Sequence, residues 1–144
     1  MKIVINNCFG GFNLSDRAIE MIMRRKGFEC FRYAHTKYKF SDGVDEYVKQ
    51  EKCSGVRLFP PIYYSTKDFG DKTNELSEDA IWDENGVSRN DTDLVAVVEE
   101  IGKEASNTEI SSLAVVEIPD GVNWTIQEYD GLESVHEAHR VWTA

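Results

Sequence analysis

The sequence predicts an α/β fold, a single domain of 144 residues in which helices cover a mixed β-sheet. Adjacent β-branched residues at positions 3 to 5 are typical of a strand that is buried on both faces. Apolar residues recur at helical spacing from 94 to 105, whereas apolar and polar residues alternate strictly from 122 to 127, as in a half-exposed strand. With 41% hydrophobic and 29% charged residues, the composition is that of a soluble globular protein.

The first strand, over residues 2 to 6, leads through a glycine-rich turn into the first helix. Gly10 and Gly11 permit positive φ, which suits a tight turn or a close backbone approach to a ligand. Ser15 is placed as the N-cap of a helix over 15 to 26, and Gly27 is placed as its C′ residue. The local plan is therefore strand, glycine turn and helix start.

The middle of the chain predicts a second strand and a long polar segment. A strand over 28 to 34 follows the first helix at the spacing of a βαβ unit, which predicts that strands one and two are parallel. Residues 44 to 52 fit either a short helix or a returning strand. Further strands come from 56 to 64, where two consecutive prolines favour a sheet edge. The polar segment from 65 to 90 is long enough to be functional or mobile.

The last third of the chain predicts a helix, a hairpin and a closing helix. Asp91 caps a helix over 91 to 105. Strands over 112 to 118 and 122 to 128 flank a Pro-Asp-Gly turn, which predicts a β-hairpin. Apolar residues then recur at helical spacing after Asp130-Gly131, which predicts a helix over 131 to 141.

Cysteine usage and hydropathy exclude several classes of protein. Cys8, Cys30 and Cys53 are odd in number, widely spaced and without a CxxC motif, so we expect free thiols and neither a disulfide framework nor a zinc site. No apolar run approaches the length of a membrane span, and the N-terminus lacks the regions of a signal peptide. The sequence predicts a protein of the cytoplasm, with no membrane partner, no metal and no cofactor.

Charge is spread unevenly along the chain. Residues 1 to 72 hold 13 Lys and Arg against 9 Asp and Glu, a net of +4, and residues 73 to 144 hold 3 against 17, a net of −14. Such a field repels nucleic acid, so we expect no stable nucleic-acid binding. Opposite charge in the two halves favours association of one copy with another, and we expect a homo-oligomer.

Three segments carry a resemblance to a known family. INNCFGGFNLS at the start, RNDTDLVAVVEEIGKEA in the second helix and VVEIPDGVNWTIQEYDGLESVHEAHRVW at the end resemble small accessory proteins that tailed bacteriophages and prophages encode. The resemblance covers about the first 27 and the last 60 residues, and Asp91-Thr92 stands where the family pattern has Asp-Pro. It implies a protein made in the cytoplasm of an infected bacterium, in a class rich in inhibitors of host defence. It implies no particular activity.

The candidate site residues are binding and positioning groups. Free amides at a glycine turn before a helix attract anions, although this turn matches neither the P-loop nor GxGxxG and has no lysine. A tight turn with Phe9 and Phe12 as core anchors is the structural alternative. The residues of the predicted ligand site are Asn6, Asn7, Cys8, Phe9, Gly10, Gly11, Phe12, Ser15, Arg89 and Arg140.

The signals for catalysis are weaker than those for binding. Cys8 with His139 would make a nucleophile and base, and His136 with His139 would make a pair of metal ligands, but no motif surrounds either pair. We therefore predict no catalytic residues. Packing and surface positions are the alternative for each side chain.

Three functions follow from these residues and from the resemblance. The first is a non-enzymatic phage protein that sequesters a small anionic, nucleotide-like signal, with the phosphate at the glycine turn and Phe9, Phe12 or Trp82 stacked on the base. The second is an acidic inhibitor of a host protein, built as a mimic of nucleic acid. The third is a small phosphohydrolase or transferase that acts on a nucleotide.

Overall fold

The computed structural model describes residues 1–51, 60–107 and 110–138. The chain divides into two compact units: unit 1 consists of Met1–Ala18 and Ser88–Ala144, and unit 2 consists of Ile19–Val87. Helices and strands occur together, which confirms the predicted α/β class. No helix in the described ranges is long and apolar enough to cross a bilayer.

Unit 1 is built on an antiparallel ribbon and a hairpin. Strand β1 (Lys2–Asn6) pairs with β6 (Leu113–Glu117), and helix α3 (Thr92–Ile101) packs against both strands. Strands β7 (Trp124–Tyr129) and β8 (Leu132–Glu137) form the hairpin. The core of this unit consists mainly of Ile3, Val4, Ile5, Leu94, Val95, Val97 and Val98.

Unit 2 contains a four-stranded antiparallel sheet in the order β4-β2-β3-β5. Its strands are β2 (Phe31–Lys37), β3 (Glu46–Gln50), β4 (Ile62–Ser65) and β5 (Lys72–Thr73). Helix α2 (Lys39–Asp42) connects β2 to β3, and 3₁₀ turns form at Glu78–Ala80 and Glu84–Gly86. Strand β4 lies at an edge, as the two prolines before it predict; residues 52–59 lie outside the described ranges.

Helix α1 (Asp16–Arg25) begins and ends where the sequence predicts. The Ser15 hydroxyl oxygen accepts a hydrogen bond from the amide of Ala18 at 3.1 Å, which is an N-cap. Gly27 has φ 90° at the C′ position, and the next amide returns to the carbonyl of Met23. Helix α3 is capped in the same way by Asp91, whose carboxylate accepts from the amides of residues 93 and 94.

Strand pairing departs from the prediction in two places. The predicted parallel pairing of the first two strands is wrong, because β1 pairs with β6 and β2 with β3 and β4, all antiparallel. The predicted hairpin over 112 to 128 is also wrong, since β6 pairs with the N-terminal strand. The apolar sequence of a strand that is buried on both faces, such as β1, does not predict which strand it pairs with.

The predicted closing helix over 131 to 141 is corrected over its first turns. Leu132–Glu137 form β8, the return strand of the C-terminal hairpin, and the predicted residues 139 to 141 lie outside the described ranges. Asp130 and Gly131 have φ 50° and 88°, the positive values of a two-residue hairpin turn. This Asp-Gly turn after an alternating strand outweighs the helical spacing of four apolar residues.

Candidate functional site

The glycine bend of unit 1 packs backbone against backbone. Gly10 has φ 149° and Gly11 has φ 109°, both values that favour glycine. A Cβ on Gly10 would overlap the carbonyl group of Ile110, and a Cβ on Gly131 would fall 2.5 Å from the nitrogen of Gly10. The bend therefore lies directly on the turn of the β7–β8 hairpin, where Gly131 must be glycine, whereas Gly10 must be glycine because of its close approach to Ile110.

Asn6 is fully buried and joins three segments of unit 1. Its Nδ2 donates to the carbonyls of Cys8 and Gly131, each at 2.8 Å. Its Oδ1 accepts from the amide of Ser112 at 2.9 Å and from the thiol of Cys8 at 3.4 Å. Because both donor hydrogens and the acceptor oxygen are used inside the protein, this side chain is a structural connector.

Arg89 and Glu133 form a bidentate ion pair beneath the bend. The guanidinium Nη1 and Nη2 donate to the two carboxylate oxygens at 2.7 and 2.9 Å, and the amide of Asn6 donates to the same carboxylate at 2.7 Å. Glu133 is 8% exposed. The Arg89 guanidinium also stacks on Phe12, 3.6 Å from the ring centroid. An internal carboxylate thus takes the position beside Arg89 that the sequence predicts for an anionic ligand.

The electrostatics of this pair favour the charged form of Glu133. Burial alone would raise its pKa, but the hydrogen bonds from Arg89 and from the Asn6 amide, with the charge of Arg89, outweigh burial and hold the pKa below its usual range. The carboxylate is therefore ionised at neutral pH. Its negative charge balances the arginine, so the pair offers little net attraction to phosphate.

The amides of the bend itself are used unevenly. The amide of Asn7 donates to the carbonyl of Ser112 at 2.7 Å. Those of Gly10 and Gly11 donate no hydrogen bond within the described ranges, Gly10 is exposed, and a Cβ on Gly11 would meet nothing within 4 Å. One side of the bend thus remains open to solvent. Phe9 is 63% exposed, so its predicted alternative role as a core anchor is wrong.

The remaining residues of the predicted site each have a different role or position in the structure. Ser15 caps α1 and its hydroxyl donates to the carbonyl of Glu104 at 2.6 Å, which leaves no free donor. Cys8 lies half-buried, and its thiol also approaches the carbonyl of Ile110 at 3.6 Å. Arg140, together with the predicted partner residue His139, lies outside the described ranges.

No group of metal-ligating side chains forms in the described part of the chain. His136 lies on β8, where its Nε2 is 2.7 Å from the hydroxyl of Ser134. The geometry in the described ranges brings together a stacked arginine, an aromatic ring and a carboxylate, which position the backbone. This cluster stabilises the backbone beneath the exposed residues of the bend and the hairpin turn. Among the described residues of the cluster, none is an activated nucleophile.

Sequence reasoning missed Glu133 and Gly131, which complete the cluster around the bend. Both belong to the segment that apolar spacing predicts as a helix, so this prediction contains neither the hairpin nor its inward-facing residues. The Asp130-Gly131 dipeptide was the available signal, because in a hairpin it places Glu133 opposite Glu128 and close to the first strand. Comparisons of the chain with family models, with curated proteins and with solved structures find no match.

Proposed function

We propose that the chain is a non-enzymatic accessory protein that inhibits a basic host protein through the acidic surface of unit 1. Unit 1 carries 5 Lys and Arg against 13 Asp and Glu, a net of −8, whereas unit 2 carries 11 against 13, a net of −2. From residue 104 to residue 139 the sequence has eight acidic residues and no lysine or arginine. The charge excess therefore belongs to one unit and to one continuous stretch of it.

The observation that carries the proposal is the composition of the hairpin tip. Tyr129 is 78% exposed at the end of β7, between Glu128 and Asp130, which are also exposed. Phe9 is exposed next to Gly10, the residue whose backbone lies against the hairpin turn. We call Phe9, Glu128, Tyr129 and Asp130 the tip patch. Exposed aromatic anchors beside carboxylates are suited to a basic groove that also has apolar pockets.

Among the described residues of unit 1, no ion pair joins a lysine or arginine to this patch. Lys2 pairs with Glu99 at 3.0 Å, Arg17 pairs with Glu104, and Arg89 pairs with Glu133. Asp130 has no cationic partner within the described ranges. The carboxylates of the tip patch remain available for a partner's lysines and arginines, which supports a surface that attracts basic proteins.

A photo-cross-linking experiment tests the proposal. Benzoylphenylalanine at position 129, introduced into the chain expressed in a bacterial host, should cross-link a basic protein whose activity the purified chain inhibits. The same probe at Phe40, which is 91% exposed in unit 2, is the matched control. Equal cross-linking at the two positions, or a captured enzyme that the chain does not inhibit, would contradict the proposal.

The second candidate is sequestration of a small nucleotide-like signal. The observation that favours it is that the amides of Gly10 and Gly11 have no acceptor within the described ranges, although both nitrogens lie against the turn at Gly131. The ion pair of Arg89 with Glu133 weighs against it, because it removes the nearest cation. Isothermal titration with cyclic dinucleotides and ADP-ribose tests it, and sedimentation of the same samples tests the expected homo-oligomer. No heat from any of these ligands would contradict sequestration.

A further inference from the structure

Strand β7 forms an edge of the C-terminal hairpin. In the described ranges it pairs with β8 alone, in a regular antiparallel register that runs from Trp124 opposite Glu137 to Tyr129 opposite Leu132. Exposed edges are commonly protected from another chain by lysine, proline or a bulge, and β7 has none of these. This strand is therefore an edge to which another extended segment can add.

The turn and one hydrogen bond define which backbone groups of β7 point away from β8. In a two-residue turn with positive φ at both positions, the flanking residues Tyr129 and Leu132 exchange hydrogen bonds, and every second pair along the hairpin does the same. The amide of Ala138 donates to the carbonyl of Asn123 at 2.7 Å, in agreement with this alternation at the other end. The residues between these pairs therefore direct their N–H and C=O groups outward.

Trp124, Ile126 and Glu128 carry the outward backbone groups. Within the described ranges, none of these N–H or C=O groups has a hydrogen-bond partner. Glu128 is exposed, as are the residues at positions 125, 127 and 129. The strand thus presents a row of donors and acceptors at the spacing that one further strand requires.

The charge of unit 1 selects the occupant of this edge. The sequence from residue 104 to residue 139 has eight acidic residues and no lysine or arginine, and Glu128 lies on β7 itself. A second copy would bring the same net charge of −8 to the edge, so repulsion disfavours the pairing of two β7 strands. A basic segment is attracted instead.

The side chains of β7 define the pattern of that segment. Trp124, Ile126 and Glu128 share one face of the strand, because residues two positions apart point to the same side. Trp124 and Ile126 are half-buried. Cross-strand neighbours on the same face interact, so an added strand should place apolar residues beside these two and a lysine or arginine beside Glu128.

We propose that β7 binds an extended basic segment of a partner protein as a third strand of the hairpin sheet. This binding mode rests on the proposed function and specifies how the partner is held next to the tip patch. Main-chain hydrogen bonds to positions 124, 126 and 128 provide affinity, and alternate side chains of the segment provide specificity.

Two synthetic peptides test the binding mode by isothermal titration of the full chain. One peptide alternates lysine and valine over about eight residues, as an added strand requires. The other has the same sequence with every internal residue N-methylated, which keeps the charges and side chains and removes the N–H groups. The first peptide should bind, and the second should bind roughly tenfold more weakly or worse, because it cannot form the ladder. Equal affinity, or no heat from the first peptide at millimolar concentration, would overturn the proposal.

A pair of variants at one position separates charge from hydrogen bonding. Glu128→Ala and Glu128→Pro both remove the carboxylate, but only proline removes the outward N–H, at an edge position where proline is tolerated. Glu128→Pro should bind the first peptide roughly fivefold more weakly than Glu128→Ala, the change for one neutral hydrogen bond. Equal affinity of the two folded variants would contradict strand addition.

Hydrogen exchange of the unsubstituted chain keeps the test decisive if Glu128→Pro does not fold. The first peptide should slow exchange at the amides of Ile126 and Glu128 and leave the amide of Val48, on β3 of unit 2, unchanged. Unchanged exchange at position 126 would overturn the proposal. A dimer in sedimentation of the free chain, with these amides already protected, would assign the edge to a second copy instead.

The photo-cross-linking experiment distinguishes the binding mode from the proposed function. If benzoylphenylalanine at position 129 captures a basic protein that the chain inhibits, the acidic surface is supported whatever the role of the edge. If that protein binds Glu128→Pro as tightly as Glu128→Ala, strand addition is wrong and the proposed function still stands.

Discussion

Each unit ties its loops together through one fully buried polar residue, but the two units use different chemistry. In unit 1, Asn6 and the Arg89–Glu133 ion pair hold the glycine bend against the hairpin. In unit 2, the hydroxyl of Tyr33 donates to the carbonyl of Gly70 and accepts from the amide of Phe69, each at 2.8 Å. The loops of unit 1 are therefore joined with the help of a buried ion pair, whereas the loop at residues 69 and 70 of unit 2 is joined by a neutral hydroxyl; the buried charge of unit 2, Arg32, pairs with Glu20 instead.

The two arrangements should respond differently to substitution and to pH. A buried charge that loses its partner is costly because its desolvation is no longer compensated. A buried hydroxyl that is removed leaves only neutral groups unsatisfied, which costs less. The supported surface differs as well, since the charged cluster lies beneath the acidic tip patch.

The largest effect is expected at the contact between the two glycine turns. Gly131→Ala puts a methyl group against the backbone of Gly10 and Gly11 and also strains a residue with φ 88°. We expect the free energy of unfolding in urea to fall by about 4 kcal/mol, the sum of overpacking and backbone strain. Gly121→Ala is the matched control, because it has φ 80° and open space, and it should lose only about 1–2 kcal/mol. Equal losses would contradict the close contact.

Removal of the arginine should have the next largest effect. Arg89→Met leaves Glu133 buried without its cation, and we expect a loss of about 3 kcal/mol in the free energy of unfolding. Arg24→Met is the control, because this arginine is exposed and pairs with Glu20 on the surface of α1. Its loss should stay below about 1 kcal/mol. A comparable cost for the two substitutions would show that the Arg89 pair is not buried.

A smaller effect is expected in unit 2. Tyr33→Phe keeps the ring that packs edge-on against Phe69 and removes only the hydroxyl. The amide of Phe69 and the carbonyl of Gly70 lose their partner, which should cost about 1–2 kcal/mol. Urea unfolding followed by far-ultraviolet circular dichroism measures this loss in the free energy of unfolding. A loss as large as that of Arg89→Met would remove the contrast between the units.

The smallest effect is the pH dependence that distinguishes the two units. The pKa of Glu133 is lower in the folded chain, so its contribution is present above the unfolded pKa and is lost as pH falls through the folded pKa. Burial raises the pKa of Tyr33, so its contribution is present below its unfolded pKa and is lost as pH rises. Glu133→Gln should flatten the acid limb of the stability curve, and Tyr33→Phe should flatten the alkaline limb. If either substitution leaves its limb of the stability curve unchanged, the substituted side chain does not cause that pH dependence.

Local signals in the sequence predict helices α1 and α3 well, but they predict a helix where β8 forms and they do not predict strand partners. Ser15, Gly27 and Asp91 act through bonds to residues within a few positions, so their roles follow from the sequence. The pairing of β1 with β6 joins residues more than 100 positions apart, and no local pattern states it. The local sequence pattern therefore does not predict which strands pair.

Three residues of the predicted ligand site lie close together in the structure, and their binding of a ligand stays a prediction. Asn6, Phe12 and Arg89 do come together around the glycine bend, as the predicted ligand site requires. Glu133 joins them from β8, a strand that helical spacing concealed, and it occupies Arg89. Because a helix is predicted where β8 forms, the sequence does not predict that Glu133 contacts Arg89 and the amide of Asn6.

Glu133 takes the position beside Arg89 that an external anion would otherwise take. A double-mutant cycle with Arg89→Met, Glu133→Gln and the double variant, followed by urea unfolding at neutral pH, measures the coupling between the two side chains. We predict that the double variant is more stable than Arg89→Met alone and that the coupling is about 2 kcal/mol or more. Additive losses would contradict the claim and would return Arg89 to the predicted ligand site.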